Sequence, residues 1–366
     1  MAGWALPVLA LLSACGDDSP PGSAAPISSL VLDSTPFLQS TAPDPDSAVI
    51  QSVRWATRLP NGGVVIADQY AARLVFLDST GSVYRTTGRR GEGPGEFGNP
   101  FRIDRCGTDS LFVWDYTRRT IIVTDTAGSF AREFRPAGAP WELTCSASGW
   151  FAALGLPREF LPPSADDARS DAPLWTMDRT GETILELPDV PIGDNRSLGR
   201  ETRIAAARTA LFVGTADSAW VDRFPLAGPM EPGTQVGGVR IGIEGRTPTS
   251  RQFDDAIEAL VAITPIERGR EIQRRGYREI PPPDELPPYR HLFVDPDDLL
   301  WAVVSAPGDS ITRLQATTPS GAMVFDGSLP GPLRVFEIGR DYVLGAAADA
   351  LGRESIVMYR LARGPV

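Results

Sequence analysis

The sequence predicts an all-β protein, a six-bladed β-propeller with a helical hairpin inserted between blades four and five. The first observation is a repeated strand pattern: Asp68 and Gly81 recur 47 residues later as Asp115 and Gly128. Each repeat has the strand content of one propeller blade. The second observation is that 36 Gly and 34 Pro lie between apolar runs, as in a chain with many tight turns.

Residues 1–15 form a predicted lipoprotein signal peptide. The apolar stretch from Ala5 to Leu12 is too short to span a bilayer but has the length of a signal-peptide core. The four residues that end the segment, LSAC, resemble the bacterial lipobox, which implies that Cys15 is lipidated. No Arg or Lys precedes the apolar run, although signal peptides usually carry one there. An ordinary cleaved signal with an incidental cysteine is the alternative.

The rest of the chain divides into a tether and one domain. Residues 16–26 are small, polar and proline-rich, which predicts a flexible tether. Residues 27–366 then form the propeller. Its first strand, Ile27–Asp33, is expected to pair with the last blade, so that the ring has no open sheet edge.

The blades follow in chain order. In blades one and two, the runs VVIAD (64–68) and LFVWD (111–115) are interpreted as the inner strands. Each repeat then reaches an Asp-x-x-Gly turn, whose glycine must adopt a positive φ. A third copy of this turn starts at Asp178. Blade four near 200–240 lacks it, and blades five and six begin near residues 292 and 333.

A helical period interrupts the strands at about 249–280. Phe253, Ile257 and Val261 fall on one face of a first predicted helix. Thr264 to Glu267 reads as a capping box for a second helix, which Pro281 to Pro283 end. Insertions in repeat proteins often lie on the binding face, so we expect the hairpin to cover one mouth of the channel.

The repeated unit ending in Asp-x-x-Gly, followed by GRRGEGPGEF (88–97), resembles the six-bladed β-propellers of the NHL-repeat and TolB-like group, in particular its bacterial lipoproteins. The resemblance is strongest over residues 49–135. It implies a propeller and not one activity, because propellers include lyases, lactonases, ligand sensors and scaffolds.

Composition restricts the function. The formal charge of −11 argues against general nucleic-acid binding, because an acidic surface repels phosphate backbones. All 35 basic residues are arginine, which excludes lysine nucleophiles and Schiff-base chemistry. We expect a monomer.

The segment Gly88–Phe97 has two interpretations. Its glycines and arginines are compatible with a phosphate-binding loop, but no Lys-Ser/Thr ending or helix follows. The preferred interpretation is a connection between blades, in which glycines allow unusual dihedrals and Phe97 fills the core.

Arginines of the helical insertion and the single histidine, His291, are candidate ligand-binding residues. Having one histidine excludes zinc sites with several histidines. Arg268, Arg270 and Arg274 suit an anionic ligand. The alternative is that these arginines form surface ion pairs and that His291 is a packing residue.

Asp68, Asp115 and Asp295 are candidate metal ligands. They are interpreted as ending inner strands at equivalent places in three blades, where carboxylates suit Ca²⁺. Lactonase-type propellers hold Ca²⁺ in this way. The alternative is that each aspartate stabilises the following turn.

Cys106 and Cys145 are predicted to form a disulfide. They end matching runs of blades two and three, FRIDRC and WELTC. Once Cys15 carries lipid, these are the two remaining thiols of an exported chain, and an oxidising compartment favours their pairing.

Together these features predict a membrane-tethered, extracytoplasmic propeller that binds a ligand or protein at the channel mouth, without catalysis and without a resident cofactor. The expected location is the outer membrane, facing the periplasm or the cell surface. The alternative is a Ca²⁺-dependent, lactonase-like hydrolase that uses channel carboxylates.

Overall fold

A computed structural model of the chain describes residues 29–40, 50–136, 138–155, 169–194, 196–226, 235–262, 267–349 and 353–364. These residues form six four-stranded antiparallel sheets arranged as the blades of a propeller. The predicted fold class is confirmed. The signal peptide, the tether, Cys15, Ile27 and the predicted cap at 264–266 lie outside the described residues.

The strands of each blade follow one another in the chain. Blade one contains β2 (Trp55–Arg58), β3 (Val64–Asp68), β4 (Arg73–Leu77) and β5 (Val83–Thr87). Blade two contains β6 (Pro100–Cys106), β7 (Ser110–Asp115), β8 (Thr120–Asp125) and β9 (Phe130–Phe134). Blade three contains β10 (Pro140–Cys145), β11 (Phe151–Gly155), β12 (Asp171–Met177) and β13 (Thr183–Pro191).

The second half of the ring is built in the same way. Blade four contains β14 (Arg203–Ala206), β15 (Ala210–Gly214), β16 (Trp220–Pro225) and β17 (Gly238–Arg240). Blade five contains β18 (His291–Val294), β19 (Leu300–Val303), β20 (Ile311–Thr317) and β21 (Met323–Pro330). Blade six contains β22 (Leu333–Ile338), β23 (Tyr342–Ala348), β24 (Glu354–Gly364) and the N-terminal strand β1 (Ser29–Gln39).

Strand β1 closes the ring as predicted. It lies antiparallel to β24, with Ser29 opposite Gly364 and Gln39 opposite Val357. It is the outer strand of blade six, so the last sheet combines the two ends of the chain. This arrangement covers the edge of β24, whose backbone groups would otherwise lack partners.

The assignment of the inner strands was wrong by one strand. VVIAD and LFVWD are β3 and β7, the second strands of their blades, whereas β2 and β6 come first. Strand β3 is fully buried because it has strands on both sides and blades against both faces. Strand β6 has partly exposed residues at four of its seven positions because it borders the axial channel. The most apolar run therefore marks the middle of a blade and not its inner edge.

The Asp-x-x-Gly turns form as predicted. The Asp78 carboxylate accepts hydrogen bonds from the Thr80 and Ser82 amides, at 2.8 and 3.1 Å. Gly81 has φ +85°, a conformation that favours glycine. The turns at Asp125 and Asp178 have the same geometry.

The segment 88–97 connects blades one and two, as the preferred interpretation states. Phe97 is buried in the apolar cluster between these blades. A Cβ atom on Gly88 would lie 2.4 Å from the Phe97 ring, so the close approach requires glycine.

The predicted helical hairpin lies between β17 and β18. It consists of α1 (Ser250–Ala262) and α2 (Glu267–Arg278). A capping box that the sequence analysis missed starts α1: the Thr249 hydroxyl accepts from the Gln252 amide, and the Gln252 side chain accepts from the Thr249 amide. Ile257 and Val261 of the predicted apolar face are buried.

Candidate functional site

Six short strands surround the axis of the propeller. They are the first strands of the blades: β2, β6, β10, β14, β18 and β22, and each contacts the next around the ring. We call the side on which these strands begin the front face and the side on which they end the back face. Both faces carry loops, and the channel runs between them.

A ring of charged or titratable side chains lies near the front end of this channel. Each blade contributes one residue, which lies in its first strand or, for Arg54, directly before it. The partner of this residue lies near the end of the second strand of the same blade: Arg102 faces Trp114 and Arg334 faces Ala346, for example. The six members of this arginine ring are Arg54, Arg102, Glu142, Arg203, His291 and Arg334. Arg290, next to His291, adds a fifth arginine.

The electrostatics of His291 show how concentrated this positive charge is. Burial lowers the pKa of His291 well below its usual value, and repulsion by nearby Arg203, Arg290, Arg102 and Arg334 lowers it further. His291 is therefore neutral at pH 7. Burial also lowers the pKa of Arg203, Arg290 and Arg334. The environment of the ring thus disfavours the charged form of these side chains.

Three ring arginines have carboxylate partners. Arg102 pairs with Asp104 at 2.9 Å, and Arg334 pairs with Glu354 at 2.5 Å. Arg203 lies 3.4 Å from Glu142, the one acidic member of the ring. These pairs offset part of the local positive charge.

Arg54 and Arg290 have no such partner. Within the described parts of the chain, no carboxylate oxygen lies within 4.0 Å of either guanidinium. Arg54 stacks on Phe101, with its central carbon 3.7 Å from the ring centroid, and its buried Nε has no hydrogen-bond partner among the described residues. Burial, together with the positive charges of Arg334 and Arg102, lowers the pKa of Arg54 to about 10. Glu354 acts on Arg54, and Asp194 on Arg290, only from beyond contact distance. Burying a cation without a directly bonded carboxylate costs free energy.

A cavity of about 250 Å³ lies between Arg102, the one ring member that lines it, and the back-face turns. Arg102, Asp104 and Arg105 of blade two line one side. Phe293 and Val294 of blade five line another. The back-face turns that contain Thr108, Ala147, Arg208 and Asp298 surround its mouth.

The carboxylic acid in this cavity has a perturbed pKa. Burial raises the pKa of Asp104 to about 6, an effect that the nearby Arg102 opposes and that Glu337 and Glu142 reinforce. Glu337 accepts hydrogen bonds from the Thr57 hydroxyl at 2.7 Å and the Arg58 amide at 2.8 Å. It also accepts one from the Tyr342 hydroxyl. Asp104 and Glu337 therefore line the same cavity in different environments, and Asp295 and Asp298 also line it.

Two of the predicted metal ligands hold their own blades together on the front face. Asp68 is fully buried and accepts hydrogen bonds from the Gln51 and Ser52 amides, both at 3.0 Å. Asp115 accepts equivalent bonds from the Gly98 and Asn99 amides. Each aspartate thus fastens the segment that leads into the first strand of its blade.

Asp295 does not occupy an equivalent place, which corrects the sequence analysis. It follows the first strand β18 and lies in the back-face turn, where it accepts from the Leu299 amide and the Trp301 indole. Arg363 pairs with it at 2.5 Å. The error follows from the wrong inner-strand assignment. The structure does not bring the three aspartates together, and the described part of the chain contains no group of three His, Cys, Asp or Glu suited to a metal ion.

The arginines of the insertion are not brought to His291. Helix α2 has no buried residue, Arg274 pairs with Glu258 of α1 at 2.7 Å, and Arg270 pairs with Glu267. Arg268 lies on the same exposed helix. His291 instead lies in the arginine ring.

The hairpin contacts loops of the front face. Ala256 of α1 packs with Leu198, Leu286 and Ala306, which belong to the loops of blades four and five. Gln252 donates to Asp309 at 2.7 Å. These contacts include no member of the arginine ring, and coverage of the channel mouth stays a prediction.

The predicted disulfide is present. Cys106 and Cys145 are bonded, with their Cα atoms 5.1 Å apart. They end β6 and β10, so the bond joins the first strands of blades two and three at the back face.

Sequence reasoning missed the arginine ring, although a signal for it exists. Each ring member is followed directly by a large apolar residue at the start of a blade, as in Arg54-Trp55, Arg102-Ile103 and Arg334-Val335. Placing the channel on the second strands removed these positions from consideration.

Comparisons with known proteins support the fold alone. No protein-family model matches this sequence, and no curated protein is detectably similar to it. Among solved structures, a candidate exported protein from Bacteroides fragilis has a TM-score of 0.51 at 13% identity and covers 94% of this chain and 98% of its own. A member of the DUF4221 family from Bacteroides vulgatus has a TM-score of 0.50 at 11% identity, with coverage of 92% and 100%.

In the residues that the structure describes, no helix is long and apolar enough to cross a bilayer.

Proposed function

We propose that this protein is a lipid-anchored, extracytoplasmic β-propeller whose axial channel binds a small anionic ligand without chemical turnover. The observation that carries the proposal is the arginine ring, in which Arg54 and Arg290 lack a carboxylate partner. An anion in the channel would supply the missing counter-charge. Charge-assisted hydrogen bonds from guanidinium groups are strong and well suited to carboxylate and phosphate geometry.

The contrast with the rest of the molecule supports this choice. The chain as a whole carries a formal charge of −11. Five arginines around one axis therefore form a local positive region in a chain whose net charge is negative. Fixed positive groups in a partly desolvated channel attract anions more strongly than the same groups on an open surface.

The cellular placement is part of the proposal. The lipobox-like segment before Cys15 and the resemblance to lipoproteins of the NHL-repeat and TolB-like group support lipid anchoring in the cell envelope. The likeness to a candidate exported protein agrees with this location.

The lactonase alternative receives no support from a specific observation. The oxygens of Asp68 and Asp115 accept hydrogen bonds within their own blades. Those of Asp295 accept from its own blade and from Arg363 of blade six.

Replacement of the unpartnered arginines tests the proposal. Arg54→Met and Arg290→Met remove a buried charge and should stabilise the ligand-free protein by about 0.5–2 kcal/mol. On this proposal the charge is kept because it binds the ligand, although it lowers the stability of the fold. The same changes should weaken anion binding about 10–100-fold, the worth of one charge-assisted hydrogen bond. Calorimetric titration with carboxylates and inorganic phosphate, alongside urea unfolding, measures both effects.

The control is Arg251→Gln on α1, where the arginine is exposed and pairs with Asp255. It should change neither quantity. If Arg54→Met and Arg290→Met destabilise the protein and no anion binds the wild type, the arginines are structural and the proposal is wrong.

A further inference from the structure

The half of the channel nearer the back face has two chemically different sides. Its polar side carries Arg102, Asp104 and Arg105 of blade two. Its apolar side carries Phe293 and Val294 of blade five, which remain partly exposed. Asp295 and Asp298 of the same blade also line the cavity, but they pair with Arg363 and Arg208. In a ring of six blades, blades two and five lie opposite each other, so these sides face each other across the axis.

Arg105 gives the polar side an available cation. Arg102 pairs with Asp104, but no carboxylate oxygen in the described part of the chain lies within 4.0 Å of the Arg105 guanidinium. Arg105 lines the cavity one residue before the Cys106–Cys145 disulfide. The bond between blades two and three thus holds the strand that presents this cation.

Phe293 gives the opposite side an apolar surface. Its ring lies 6.2 Å from that of His291, two residues earlier on the same strand. Phe336 and Ile338 of blade six line the cavity beside it and are almost fully buried. An aromatic ring that remains partly exposed inside a channel favours a ligand with an apolar body.

We infer that the ligand is a small amphipathic carboxylate, whose aromatic or alicyclic body packs on Phe293 while its carboxylate pairs with Arg105 and Arg102. This inference rests on the proposed function, in that the channel binds an anion, and it places the carboxylate of the ligand at Arg105 and Arg102, which line the cavity, and not at Arg54 and Arg290, which do not. The cavity of about 250 Å³ holds about eight to ten non-hydrogen atoms, at the roughly 30 Å³ that one water molecule occupies in the liquid. Benzoate and cyclohexanecarboxylate have this size, whereas larger cofactors and oligosaccharides do not.

A ligand series on the full-length protein in detergent tests the inference. Calorimetric titration compares benzoate and cyclohexanecarboxylate with three other ligands. These are acetate, which lacks the body, threonate, whose body of the same size is polar, and benzamide, which lacks the charge. Benzoate should bind about 10–100-fold more tightly than acetate, because it buries one apolar ring. Benzamide and threonate should bind no better than acetate.

Variants assign the two sides. Phe293→Ser should reduce benzoate affinity to the acetate level and leave acetate unchanged, whereas Phe293→Leu should retain most of it. Arg105→Gln should weaken both anions in parallel. Phe130→Ser, a change of an exposed aromatic on the outer strand β9, is the matched control and should have no effect.

The outcomes separate this inference from the proposed function. Equal, measurable affinities for benzoate and acetate would overturn the inference and leave anion binding intact, as would tight binding of phosphate alone. Equal affinities for benzamide and benzoate would also overturn it. If no anion binds, both fail. Should Phe293→Ser not fold, the wild-type ligand series decides.

Discussion

The pKa values of two channel residues, His291 and Asp104, are shifted from their usual values. The two shifts have opposite effects on how stability changes with pH. The folded-state pKa of His291 lies well below 6.5, so below that pH the unfolded chain binds a proton that the folded protein does not. Acidification through this window therefore destabilises the fold. The folded-state pKa of Asp104 is raised to about 6 from 3.8, so acidification from pH 6 towards 4 favours the fold.

Replacing His291 with Gln should expose this opposition. Without the histidine, the variant should gain stability relative to the wild type as the pH falls from 6.5 to 5, by up to about 1.4 kcal/mol per pH unit. Asp104→Asn should show the reverse trend. Urea unfolding at pH 7, 6 and 5 measures both. Parallel pH profiles for wild type and His291→Gln would show that the histidine titrates normally.

The grouping of individual residues in the channel was the feature least predictable from sequence. The turn aspartates Asp78 and Asp125 could be predicted because they act within four residues of their own position. Arg54 and Arg102 could not be grouped, because only the closed ring brings the starts of different blades to one axis. His291 is unique in the sequence, but three of its four arginine neighbours, Arg203, Arg102 and Arg334, come from other parts of the chain.

The disulfide between β6 and β10 is an element-scale feature that could be predicted, since blade repetition places both cysteines at the same strand end. Replacing both cysteines with Ser should lower the free energy of unfolding by about 3–4 kcal/mol, because the bond closes a loop over a sequence separation of 39. Urea unfolding of the double variant measures this loss, and mass spectrometry of the non-reduced wild type should find neither thiol alkylated after denaturation.

Cys15→Ser is the control, because Cys15 lies in the signal segment and should not affect the stability of the propeller. Unchanged unfolding of the Cys106/Cys145 double variant, or two alkylatable thiols in the wild type, would contradict the prediction.

The helices and blades show what decides predictability at this scale. Helix α1 follows from its apolar period, and its Thr249–Gln252 capping box lies within the same segment. The order of strands within a blade was harder, because the buried second strand β3 looks more like a core strand than β2. The hydrophobicity of a strand indicates how far it is buried, and in a propeller the most buried strands are those packed between neighbouring blades.

The position of the first strand shows which face of the propeller lies towards the predicted anchor. Strand β1 begins at Ser29 beside Gly364, at the back face, where the cavity also opens. Thirteen residues separate Cys15 from Ser29, which span at most about 45 Å when extended. If Cys15 is lipidated, the cavity mouth lies on the side of the molecule from which the tether emerges.

Anchoring through Cys15 is expected to depend on that residue alone. A lipidated cysteine carrying more than one acyl chain gives stable attachment, and Cys15→Ser should release the protein into the soluble fraction. Membrane fractionation and labelling with palmitate measure this. A Cys15→Ser protein that stays with membranes, together with an unlabelled wild type, would show that the signal is not a lipobox.

The central claim is that the channel binds an amphipathic carboxylate, and the most direct measurement is a crystal structure with 4-bromobenzoate that uses the anomalous signal of bromine. The account predicts one ordered molecule in the channel, with its ring against Phe293 and its carboxylate about 2.7–3.0 Å from guanidinium nitrogens of Arg102 or Arg105. Bromine found only at surface arginines, with none in the channel at saturating concentration, would contradict it.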